Sequence, residues 1–167
     1  DIMLISHSMG SVIAFEVLTF MVPEIRINTF VTMGSPLGLP VIISKIAGEY
    51  RQRGMENYIV KTPPGVINKW YNFSDILDKV AFNYKLSPYF RENAHGIKPI
   101  DFLVTNKYVS DGIQNPHKSF GYLRSPEFSG ILNEFIRSEE LTAGQKINRR
   151  ISHFIEKLRY RISKPKH

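Results

Sequence analysis

The chain has 167 residues, of which 43% are hydrophobic and 22% charged, and it has no cysteine. That length suits one soluble domain with a sizeable core, and the missing cysteines exclude a disulfide scaffold and thiolate chemistry. The net charge of +7 sits in residues 145–167, where eight Lys and Arg face a single acid, Glu156, while the rest of the chain is balanced; a nucleic-acid surface therefore does not follow from charge.

No apolar run is long enough to span a membrane, and no secretory signal is expected from the opening residues. The chain begins at Asp1 without an initiator Met, so its natural N-terminus is expected elsewhere. A cytoplasmic location, peripheral to a membrane, is the favoured expectation.

In chain order, residues 2–5 (IMLI) read as a short, fully buried strand, and residues 10–21 as a helix closed by Pro23. Residues 29–33 (TFVTM) form a second β-rich run, ended by Gly34-Ser35-Pro36. Residues 41–47 suit a short helix. Pro63-Pro64-Gly65 is a break, after which residues 66–73 and 100–104 read as two further strands. Residues 127–136 fit a helix, and the tail from residue 143 reads as a long final one. Strands alternating with helices or long connections imply an α/β fold with a parallel sheet. In such sheets the chemistry lies beyond the carboxyl ends of the strands, which is where Ser8, Asp75, Asp78 and His117 fall.

Between the first strand and the first helix stands Ser6-His7-Ser8-Met9-Gly10. A serine on so tight a turn needs small residues two positions away on either side. Gly10 meets that need, and Ser6 stands where glycine is more usual. The Met9 amide, at the helix N-terminus, is a candidate oxyanion donor. The plain alternative is that these serines only cap the helix.

A serine hydroxyl needs a base to remove its proton, and a carboxylate to orient that base. Of the five histidines, His7 adjoins Ser8 and is expected to point away from it. His95 lies at the wrong end of the sheet, and His153 and His167 lie in the tail. His117, in the loop SDGIQNPHKSFGYL after the fourth strand, is the candidate base. The stretch WYNFSDILDKVAF offers Asp78 as the acid, with Asp75 as the alternative. The order Ser, Asp, His is that of one large fold.

Four segments in this order, LISHSMGS, FVTMGSPLG, WYNFSDILDKVA and NPHKSFGYLRSPE, resemble those of α/β-hydrolases of the lipase and esterase class. The resemblance runs from Ile2 to about Ile136. It implies a three-layer sheet with flanking helices, with Ser8 as nucleophile, Asp78 as acid, His117 as base and Met9 as an oxyanion donor. It implies hydrolysis of carboxylic or lipid esters with no cofactor and no metal. An acyltransferase using the same three residues, and a non-catalytic membrane- or partner-binding module, are the alternatives.

In that family the nucleophile strand is the fifth, whereas here it comes first. The chain is therefore expected to be the C-terminal half of such a domain, over residues 1–144. Its missing N-terminal strands, or another chain, would complete the sheet and supply the second oxyanion donor. Residues 35–64 lie where the family inserts a cap, and Leu37, Leu39, Val41, Ile42, Ile43 and Ile46 either line an acyl pocket or pack. In residues 145–167, Ile147, Ile151, Phe154, Ile155, Leu158 and Ile162 share one helical face flanked by bases, suiting an anionic membrane surface.

Overall fold

A computed structural model describes residues 1–55 and 59–140. The tail assigned above to a basic amphipathic helix lies outside the described residues. The chain divides into two units, Asp1–Gly130 and Ile131–His167, and the candidate site falls wholly within the first.

The element order is β1 (Met3–His7), α1 (Met9–Glu16), β2 (Ile27–Met33), α2 (Pro40–Gln52), β3 (Val66–Ser74), β4 (Pro99–Leu103), β5 (Val109–Ser110), β6 (Ile113–Gln114), α3 (Ser119–Leu123) and α4 (Pro126–Glu140). Strands β1 to β4 form one sheet in that order, and every pairing in it is parallel. The fold is therefore α/β, with a four-stranded parallel sheet flanked by helices. β5 and β6 make a separate antiparallel hairpin. Its turn, Asp111-Gly112, has φ of 52° and 74°, the left-handed pair that a tight hairpin demands.

Successive side chains of a strand face opposite ways, and β3 shows what each face meets. Trp70 is fully buried among Phe15 of α1, Phe30 of β2 and Phe90, with ring centroids 5.0 to 6.1 Å apart. Its indole Nε1 donates to Thr32 Oγ1 at 3.2 Å, so the buried N–H is satisfied. On the other face Phe73 stacks on Phe102 at 5.2 Å and meets Phe128 of α4 edge-on at 5.9 Å. Helices thus cover both faces, and the carboxyl ends of the strands are left to the loops.

Three local expectations change. β1 is an edge strand, so it is not fully buried: Ile2 and Ile5 are exposed, and of Met3–His7 only Ser6 is buried. The first helix is α-helical only to Glu16 and continues as a π-helical turn over Val17–Met21. Residues 40–52 form a thirteen-residue helix whose Ile46 joins Leu37 in the core. Ile42 and Ile43 pack against that core, and Val41 is exposed. Among the described residues no helix is long and apolar enough to cross a membrane.

Candidate active site

Ser8 joins the end of β1 to the start of α1. Its backbone is held at φ 55° and ψ −135°, a region natural to glycine and costly for other residues. The Ser8 N–H donates to Met33 O at 3.0 Å, which pins the turn to the neighbouring strand. Ser11, fully buried, donates its hydroxyl to Ser8 O at 2.6 Å and lies 2.6 Å from Ser35 Oγ. Ser8 occupies the N-cap position, yet its side chain makes no capping hydrogen bond. The hydroxyl is therefore available for something other than the helix.

That hydroxyl lies 2.8 Å from His117 Nε2. On the other side of the ring, His117 Nδ1 lies 2.9 and 3.0 Å from the two carboxylate oxygens of Asp78. Asp78 is fully buried. Its Oδ1 accepts from the Val80 amide at 2.9 Å, and its Oδ2 from the Tyr122 hydroxyl at 2.7 Å. Every partner of an ionised carboxylate must be a donor, so Nδ1 carries the ring proton of neutral His117 and Nε2 presents its lone pair to Ser8.

Met9 opens α1. Its amide is one of the first-turn N–H groups that have no acceptor within the helix. Asp75, the alternative acid, is buried but turned elsewhere. It accepts the Leu77 amide at 2.7 Å and the Asn106 amide at 2.5 Å. The structure thus brings Ser8, His117 and Asp78 together, and sets Asp75 to hold Asn106.

Sequence reasoning missed the supports around His117. Asn106, fully buried, donates through Nδ2 to Pro116 O at 2.7 Å and to Lys118 O at 2.8 Å. His7, expected to point away from Ser8, lies with its ring 4.7 Å from that of His117. Its Nε2 donates to the His117 carbonyl at 2.6 Å. Three consecutive carbonyls around the base are therefore held by two side chains. Burial is the main cause that lowers the His7 pKa from its ordinary 6.5, against the opposing effect of the hydrogen bond to His117 O. His7 accordingly favours the neutral form.

The steric demand also falls elsewhere than expected. A Cβ on Gly10 would meet nothing within 4 Å among the described residues. Ser6 fits at its position because its hydroxyl donates to Val31 O at 3.1 Å. The glycine crowded by the candidate acid and base is Gly34, at the end of β2. It has φ +52°, and a Cβ there would lie 2.8 Å from Asp78 Oδ2, 3.1 Å from Tyr122 Cε2 and 3.2 Å from His117 Nδ1. A glycine directly after the strand was the one sequence-level signal for this notch.

Met9, next to Ser8 in the chain, and Ile76 and Leu77, just before Asp78, are exposed. Compared with protein-family models, with curated proteins and with solved structures, the chain matches none.

Proposed function

We propose that the chain carries the catalytic serine, histidine and aspartate of a serine ester hydrolase, on an α/β-hydrolase-like sheet. The observation that carries this reading is the continuous line from Ser8 Oγ to His117 Nε2 at 2.8 Å and from His117 Nδ1 to Asp78 at 2.9 Å. In the first step the Ser8 proton passes to Nε2 as Oγ bonds to the ester carbonyl carbon, and the carbonyl π pair moves onto oxygen. The Met9 N–H faces that oxyanion. Collapse of the adduct expels the alcohol oxygen, which takes the proton from His117. Water then attacks the acyl-serine, giving a proton to His117, and the acid leaves as Ser8 regains its hydrogen. Asp78 stabilises the imidazolium in both halves without taking its proton.

The test is labelling of the full chain with a fluorophosphonate, which reacts with activated serines, followed by peptide mapping. Label at Ser8, abolished in Ser8→Ala together with esterase activity, is expected. A folded protein whose Ser8 stays unlabelled refutes the proposal.

A further inference from the structure

Tyr122 lies on α3, five residues after the candidate base and far in sequence from the candidate acid, yet its hydroxyl joins the two carboxylate-bearing turns. It accepts from the Asp75 amide at 3.1 Å and donates to Asp78 Oδ2 at 2.7 Å. The residue is fully buried. The same carboxylate oxygen receives His117 Nδ1 at 2.9 Å. Two donors therefore compete for the electron density of one oxygen atom. The ring is also wedged in place, since Tyr122 Cε2, Asp78 Oδ2 and His117 Nδ1 all crowd the empty side of Gly34.

We propose that Tyr122 is a positioning residue that fixes the orientation of the Asp78 carboxylate and weakens its pull on the His117 proton. This inference rests on the hydrolase reading of the site. Its physical basis is the direction of one hydrogen bond. The Asp75 N–H has only a proton to give, so the Tyr122 oxygen accepts there and directs its own hydrogen to Asp78. Burial and the neighbouring Asp78 charge both push the Tyr122 phenol well above its ordinary range, so it stays a donor through the working pH range. A donor on Oδ2 spreads the carboxylate charge. Less charge then faces the imidazolium that forms during the reaction, and the base releases its proton more readily to the leaving group.

The groups facing His117 are Asp78 from the loop after β3 and Ser8 and His7 from the end of β1; Tyr122 from α3 meets Asp78 and the His7 ring. Asp75 faces the Tyr122 hydroxyl, and Lys118 follows His117 in the chain. Removing the phenol oxygen alone leaves the other groups in place. It removes the donor to Asp78 Oδ2 together with the acceptor of the Asp75 amide, so the direction of the titration shift, and not the rate alone, reads the donor.

The experiment compares the rate of fluorophosphonate labelling at Ser8 in the full-length wild type and in Tyr122→Phe, from pH 5 to 9, beside thermal unfolding of both. The plateau rate is expected to fall about tenfold, the loss of one well-placed bond to a charged group. The acid-side midpoint is expected to rise by about half a pH unit, because the unshared carboxylate holds the imidazolium more firmly. An unchanged or lowered midpoint overturns the proposal, even with a slower plateau, because a purely structural phenol would lower the rate without moving the titration upward. Wild-type protein that never labels at Ser8 overturns the hydrolase reading instead. A second measurement serves if Tyr122→Phe does not fold. The Tyr122 ring carbon bearing oxygen is followed by NMR in the wild type, and ionisation together with the exposed tyrosines near pH 10 overturns the proposal.

Discussion

Gly34→Ala places one methyl group where the candidate base, the candidate acid and Tyr122 converge. The added carbon would stand 2.8 Å from Asp78 Oδ2, where ordinary contact begins near 3.4 Å, and 3.1 Å from the Tyr122 ring. Neither neighbour can swing aside, because both are fully buried and bonded to each other at 2.7 Å. Two costs add. A left-handed backbone at φ +52° costs a non-glycine residue about 1 kcal/mol. Opening a packed junction by about half an ångström costs about 2 kcal/mol. A total near 3 kcal/mol lowers the melting temperature by roughly 6–12 °C for a domain of this size. The same displacement moves the carboxylate relative to His117, and labelling at Ser8 is expected to slow by about tenfold or more. Differential scanning fluorimetry and fluorophosphonate labelling on the same preparation read the two effects separately. Wild-type melting and labelling in Gly34→Ala would refute the reasoning. A destabilised variant with unchanged labelling would show that the strain is relieved away from Asp78, and would refute the rigid junction.

The two aspartates separate by substitution. Asp78→Asn is expected to slow Ser8 labelling by about 10⁴-fold, since an amide favours the wrong ring tautomer. Asp75→Asn removes the carboxylate that receives the Leu77 and Asn106 amides, so it costs about 1–3 kcal/mol of stability while Ser8 still labels; equal losses of labelling would reassign the acid. For His7 the folded-state pKa lies below 6.5, so as pH falls through the unfolded value the unfolded chain gains a proton that the folded chain resists. Its stabilising contribution is full above about pH 6.5 and declines below it. Thermal melts at stepped pH should therefore show a shallower acid decline in His7→Gln, and parallel curves would contradict this. Ser8→Gly, which suits φ 55°, is expected to exceed Ser8→Ala in stability by about 1 kcal/mol in urea unfolding; equal midpoints would mean that the turn is unstrained.

The alternation of strands and helices was legible because each apolar run is bounded by a local breaker, as in Met33-Gly34-Ser35-Pro36. Ser8, Asp78 and His117 were legible because chain order and strand ends place them at one edge of a parallel sheet. The choice between Asp75 and Asp78 was not, since a single turn, closed by the Asp78 N–H on Asp75 O at 3.0 Å, decides which carboxylate meets the imidazole. The roles of Asn106, His7 and Tyr122 carry no local signal. The partners named for them above lie 10 to 110 residues away in sequence, so only the folded chain brings them together. The hairpin was missed although Asp111-Gly112 is a strong turn signal, because its strands have only two residues each. Edge exposure of β1 was hidden by composition, since apolar strands read as buried wherever they lie.

Positive φ at a residue other than glycine occurs at two of the described positions, Ser8 and Asp111. Asp111 is explained by its own hairpin, where a tight turn requires that conformation. Ser8 has no such local reason, for the helix it precedes takes no hydrogen bond from its side chain. A chain under pressure only to fold would be better served by glycine at that position. The hydroxyl is retained at a backbone cost of about 1–3 kcal/mol, 2.8 Å from an imidazole. That imidazole is held in turn by Asp78 and, through its carbonyl, by His7. Departures from the locally favoured residue that converge on one atom argue for a demand on that atom, and a hydroxyl facing a lone pair is suited to losing its proton.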